Sequence, residues 1–284
     1  MTANATATVC LTFHFDAISL YPGMFKMKSP SLISRGEFGA RVGVRRILEV
    51  LRREGLPATF FVPGLTIDTF PEICKEIRGD GHEFAHHGYY HISPVPMSEK
   101  EERIELEKGI DAMERNLDGY RPYGYCSPAS DLSPNTIRLL REHDFLYDAT
   151  MSADDFTPYW CREGDEVSDL GEIRFGKTVP VAELPFSWTL DDFPQMEFVL
   201  GENWLEGLND PEKCQRMWLA DMDFMVERVQ DGIYTMCFHP QVIGRGARIR
   251  VLENMIRKGR ELEVEFKTCL DAVNGWKAEN PFEG

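Results

Sequence analysis

Gly81-His82-Glu83-Phe84-Ala85-His86-His87-Gly88-Tyr89-Tyr90-His91 packs four of the chain's seven histidines into ten residues. The first part, His82 to His87, reads as a strand. Divalent cations of the zinc type take neutral imidazole nitrogens at about 2.1 Å, whereas a strand continued through this run would hold His87 and His91 about 13 Å apart. A turn beginning at Gly88 would bring the two rings to one ion. His82 and His86 share the same four-residue spacing, but they lie inside the strand and are assigned to packing or to support of the site.

Working outward, Thr8 to Asp16 places Val9, Leu11, Phe13 and Phe15 on one face and Cys10, Thr12, His14 and Asp16 on the other, because side chains alternate along a strand. Taken alone, His14 and Asp16 are either a half-exposed edge pair or part of a site. Further strand-like runs follow at Ala58 to Pro63, His82 to His87, Tyr123 to Pro128, Tyr147 to Ser152, Val181 to Phe186, Tyr234 to Pro240 and Val264 to Cys269. Amphipathic segments separate them. Val42 to Glu54 carries Val44, Ile47, Leu48 and Leu51 at helical spacing, and Ser98 to Leu117 opens with a Ser98-x-x-Glu101 capping box. Ser133-Pro134 and Asp210-Pro211 each place a capping residue before proline at the first helical position. This alternation predicts an α/β fold with a parallel sheet, closed as an irregular (β/α) barrel of seven or eight strands over residues 1–284 as one domain. In such barrels chemistry collects at the carboxyl ends of the strands.

Composition narrows the function classes. Acidic residues outnumber basic ones 47 to 31, a formal net charge of −16, which opposes binding to nucleic acid or to an anionic membrane surface. The start of the chain lacks a basic and then apolar leader pattern, and no apolar run approaches the roughly 20 residues of a membrane span, so the expected location is the cytoplasm. Seven scattered cysteines without a C-x-x-C pair fit reduced thiols.

Thr12-Phe13-His14-Phe15-Asp16-Ala17, then Ala58-Thr59-Phe60-Phe61-Val62, then Gly81-His82-Glu83 with His87 and His91 resemble, in order and spacing, the polysaccharide deacetylase (NodB-homology) superfamily. Its first motif has the form T-F-D-D-G, with a base and a metal ligand, and its second is H-x-x-x-H. Two later segments, Glu183 to Pro194 and Phe238 to Arg245, resemble the branch containing cyclic imidases, peptidoglycan-deacetylase-like proteins and metal-free allantoinases. The resemblance implies one divalent cation, zinc by expectation, on Asp16, His87 and His91. It also implies a homodimer or tetramer acting on a small amide, imide or ureide.

Two positions depart from the pattern. His14 stands where the family places its base aspartate, and Cys126 stands where a third motif, R-x-P, places the arginine that orients that base. Exchanging both partners leaves no unpaired buried charge. An imidazole is a competent base at neutral pH, so His14 is the expected base. His239, at the end of the seventh strand, is the expected acid for the leaving nitrogen, with Asp191 or Asp192 orienting its ring. Cys126, Trp188 and Tyr90 are assigned to the substrate pocket together with Phe193; a nucleophilic Cys126 would make the metal redundant. Glycan N-deacetylation is the alternative activity, and a metal-keeping binding protein without catalysis is the alternative outside enzymes.

Overall fold

A computed structural model describes residues 7–200 and 205–284. In chain order the strands are β1 (Thr8–His14), β2 (Thr59–Val62), β3 (Glu83–His86), β4 (Gly124–Tyr125), β5 (Tyr147–Asp148), β6 (Tyr159–Glu163) and β7 (Glu166–Val167). There follow β8 (Ile173–Arg174), β9 (Lys177–Glu183), β10 (Phe198–Val199), β11 (Leu205–Glu206), β12 (Ile233–Phe238) and β13 (Glu265–Phe266). One curled sheet runs β12-β1-β2-β3-β4-β5-β9-β6, with β13 paired to the start of β1. Its neighbours are parallel except β6, which runs antiparallel to β9. Between β9 and β12 the curl closes through a single parallel bridge, Asp191 to Cys237, so this is an irregular barrel.

Helices cover the outside, and strands buried on both faces read as near-continuous apolar runs. All seven residues of β1 are buried. The barrel interior holds Cys10, Phe61, Ala85, Cys126, Tyr147, Ala149, Ala182 and Leu184. Larger apolar layers separate the sheet from the helices on either side, one built around Phe13, Phe60, Trp218 and Phe238, the other around Ile137, Leu140 and Val181.

Local chemistry sets several helix starts. The Ser98 hydroxyl accepts from the Glu101 amide at 3.4 Å and the Glu101 carboxylate accepts from the Ser98 amide at 2.9 Å, starting helix Glu99–Asn116. Asp210 caps Pro211–Arg228 through the Glu212 amide at 2.9 Å. Ser133 behaves differently from expectation. Its hydroxyl and that of Thr136 both bond to buried Glu102, and the helix begins two residues later, at Thr136–Glu142. The run Val264 to Cys269 is a strand only at Glu265–Phe266, because Thr268 caps helix Cys269–Glu279 by accepting from the Asp271 amide. Leu20–Gly23 and Pro30–Phe38 are helical, and β6 and the β7–β8 hairpin lie between Asp154 and Lys177. Among the described residues no helix is long and apolar enough to cross a membrane.

At the amino end of the barrel Glu83 is buried and accepts from Thr59 Oγ1 at 2.7 Å, Tyr147 Oη at 2.8 Å and the Leu270 amide at 3.0 Å. Burial pushes its carboxyl up to about 7, against those hydrogen bonds. A raised carboxyl favours the folded state while it is neutral. Its contribution is therefore fully present below the unfolded pKa near 4.5 and fades as pH rises to about 7, by roughly 3 kcal/mol. Glu83→Gln should flatten that part of the stability curve. Denaturant unfolding of both proteins at pH 5 and pH 8 checks it, and an equal pH dependence in the two would refute it.

Candidate metal and catalytic centre

Asp16, His87 and His91 come together at the carboxyl end of the barrel, all three buried. The chain turns sharply after Asp16, where Ala17 has φ 47°, and the Asp16 carbonyl accepts from Ser19 Oγ at 2.7 Å and Thr66 Oγ1 at 2.5 Å. That leaves the carboxylate pointing into the site. A tight turn carries the chain from His87 to His91 through Gly88 at φ 67° and His91 itself at φ 55°. Left-handed backbone at a non-glycine residue costs energy and needs outside support. Glu105 supplies it by accepting from the amides of Tyr89 at 3.2 Å and Tyr90 at 2.8 Å, while the amides of Gly64 and Leu65 donate to the Gly88 and Tyr89 carbonyls. Gly23 lies so close to this turn that a Cβ there would meet the Tyr90 carbonyl oxygen at 2.0 Å.

His87 Nδ1 donates to the Cys126 carbonyl at 2.6 Å, which fixes the tautomer and aims the Nε2 lone pair at Asp16. The Nε2 atoms of His87 and His91 each lie 3.6 Å from Asp16 Oδ1. That is too long for a hydrogen bond, yet close to the spacing of two atoms that share one ion at about 2.1 Å. Both Asp16 carboxylate oxygens are buried without a hydrogen-bond partner among the described residues, a costly state for an ionised group unless a cation answers it. Burial holds both imidazoles well below their ordinary range, His91 at about 3, so they stand neutral as ligation requires. These residues fit a divalent cation.

His14 and His239 flank the cluster. The His14 ring centroid is 4.6 Å from that of His87 and 5.3 Å from that of His239. Burial, and then His239 and His91, lower its pKa. His239 Nε2 lies 3.5 Å from Asp16 Oδ2, and its Nδ1 donates to Asp192 Oδ1 at 2.9 Å. Asp192 also accepts the His239 backbone amide at 2.9 Å, whereas Asp191 stands farther off, at 3.4 Å from Nδ1. Asp192 is thus the residue that orients the ring. Burial disfavours the imidazolium, but Asp191, the Asp192 hydrogen bond and Asp16 together push His239 up to about 9.

Over these groups opens a cleft of about 350 Å³, lined in part by His14, His87, His91, Asp191, Phe193 and His239 and edged by half-exposed Trp188.

The description "Polysaccharide deacetylase" matches residues 37–147. Over the longer span the chain is 32% identical to a peptidoglycan deacetylase of Helicobacter pylori, covering 94% of each protein. The chain belongs to the polysaccharide deacetylase family. A solved structure assigned to the polysaccharide deacetylases of Mycobacterium smegmatis superposes with a TM-score of 0.84 at 32% identity, covering 99% of this chain and 93% of that one. The fold is also that of the allantoinase PuuE, with a TM-score of 0.78 at 21% identity and coverage of 99% and 94%. As a family member the chain is a hydrolase of carbon–nitrogen bonds other than peptide bonds.

Two residues assigned to the pocket from the sequence lie elsewhere. Cys126 is fully buried beneath His14 and His87, with its thiol donating to the Ala149 carbonyl at 3.0 Å and pushed up by burial, so it presents no thiolate to the cleft. Tyr90 is half-buried in the turn, where its backbone serves the turn's geometry, and it is not among the cleft's lining residues. His82 and His86 face outward from β3, His82 against Phe60 and His86 donating to the Leu106 carbonyl at 3.0 Å. The cleft also takes Leu20, Met24, Ser127, Ala129 and Ser130. Ser127 is the middle residue of the third motif, while no motif marks the other four, which the turns after β1 and β4 bring to the cleft.

Proposed function

We propose that this member of the polysaccharide deacetylase family hydrolyses the amide, imide or ureide bond of a small molecule, using a divalent cation, zinc by preference, held by Asp16, His87 and His91. The observation that carries the reading is the Asp16 carboxylate, buried without a hydrogen bond and facing two neutral imidazole nitrogens at 3.6 Å each. When bound, the cation supplies Lewis acidity, polarising the carbonyl and lowering the pKa of water. His14, neutral and open to the cleft, takes the proton from the attacking water. His239, held by Asp192 through Nδ1, presents Nε2 to the leaving nitrogen and gives it a proton. The Asp192 carboxylate keeps that imidazole in one tautomer and favours its cationic form. Leu20, Met24 and Phe193 exclude water around the reacting bond, and such apolar walls suit an uncharged ring.

A second reading, N-deacetylation of an acetylated amino sugar, is favoured by the Helicobacter pylori relative and by the half-exposed Trp188 at the cleft's edge, a platform on which a sugar face can stack. Turnover assays on cyclic imides, allantoin and N-acetylglucosamine oligomers, with and without chelator, decide between them. Chelator-sensitive turnover of the small cyclic compounds supports the first reading, and turnover restricted to the oligomers replaces it with the second. No turnover on any of them would leave a metal-holding binding protein.

A further inference from the structure

Beside the Asp16 cluster lies a second group of ligating atoms. His14, Cys237 and His239, all buried, offer ring nitrogens and a thiol sulfur within 4.8 Å of one another. His14 ends β1, Cys237 lies in β12 and His239 directly follows β12; Thr12 pairs with Cys237 and Phe13 with Phe238, so the sheet register sets the ends of the two strands side by side. The ring nitrogens of His14 make no hydrogen bond among the described residues, although the ring is 95% buried and lines the cleft. A neighbouring group, His14 with His87 and Cys126, is also compact. There His87 is already taken as a ligand of the Asp16 site, and the Cys126 thiol donates to the Ala149 carbonyl.

We propose that His14, Cys237 and His239 form a second, inhibitory cation site, which takes a soft divalent ion such as zinc, cobalt or cadmium after the Asp16 site is filled. Two imidazoles and a thiolate select borderline and soft ions over magnesium. On binding, Cys237 gives its thiol proton, and His239 its imidazolium proton, to solvent, and each then donates an electron pair to the ion. Inhibition follows if His14 and His239 are the base and the acid, the assignment made above, because one ion would occupy both. Excess zinc would then act as a brake on hydrolysis.

Titrating the holoenzyme with cobalt(II), with bound ion counted by equilibrium dialysis and the absorption spectrum recorded, tests the site directly. The Asp16 site has no sulfur ligand. Filling the second should therefore raise stoichiometry from about one to about two equivalents and bring in a thiolate-to-cobalt charge-transfer band. Cys237→Ser and Cys237→Ala should each stop at one equivalent without the band, keep basal turnover, and lose inhibition by excess zinc. Cys126→Ser should behave as the unaltered protein, and magnesium should not inhibit. A wild-type protein that stops at one equivalent overturns the proposal, as does a band that survives in both Cys237 variants or disappears in Cys126→Ser. Stoichiometry and spectrum report the ion itself, so they decide this site even if no substrate is turned over and the catalytic assignment fails.

Discussion

His91→Ala should bind no stoichiometric metal and lose about 10³-fold or more in kcat/KM, equivalent to roughly 4 kcal/mol of transition-state stabilisation. The proposed site has three protein ligands. Removing one leaves a carboxylate and one imidazole, which hold a zinc-type ion poorly, and Asp16 is then left more nearly alone in a buried position with no hydrogen bond of its own. His87→Ala should behave likewise, with an added cost, because its Nδ1 hydrogen bond to Cys126 also ties β3 to β4. His86→Ala is the informative contrast. That ring donates to the Leu106 carbonyl and accepts the Gly88 amide at 3.1 Å, so its loss should destabilise the fold by about 2–4 kcal/mol while metal binding persists. Elemental analysis of the purified variants, together with melting curves, separates the two effects. Should His86→Ala lose the ion and His91→Ala retain it, the ligand assignment is wrong.

The second large effect is expected at the proton-transfer pair. His14→Ala should lower kcat by 10²–10⁴-fold, as is usual on removing a general base, with KM and metal content little changed. His239→Ala should do the same for the acid, and Asp192→Asn should produce a smaller loss, because the ring remains but its tautomer and orientation are no longer held. The geometry motivating this is the placement of the two rings next to each other at the edge of the Asp16 cluster, 5.3 Å apart between centroids. Metal content is the readout that distinguishes roles. If His14→Ala protein comes out metal-free, His14 serves as a ligand and the base must be sought elsewhere; if its turnover is unchanged, His14 takes no part in the chemistry.

Much of this was legible along the chain. Alternation in Thr8 to Asp16 put His14 and Asp16 on the same face, and the spacing in Gly81 to His91 required a turn at Gly88, which the positive φ values at Gly88 and His91 supply. The Ser98 and Asp210 caps were readable because a cap bonds to an amide two or three residues away, inside the reach of a local pattern. The choice of Asp192 over Asp191 as the orienting group was not. Adjacent residues have equal claims in sequence, and the distances to His239 Nδ1, 2.9 Å against 3.4 Å, follow from how the chain crosses from β9 to β12.

By itself, then, the sequence determined the faces of the first strand, the turn between the histidines, the helix starts at Ser98 and Asp210, and the family. The tertiary structure decided that Cys126 lies beneath the site instead of in it, that Tyr90 belongs to the turn, that Ser127 and Ser130 reach the cleft, and that Cys237 stands beside His14. Faces, turns and caps are governed by interactions within a few residues, which a one-dimensional pattern records. Which side chains meet across the barrel depends on sheet register and curl, set by the packing of the whole core, and residues more than 200 positions apart, such as His14 and Cys237, become neighbours only when that core is formed.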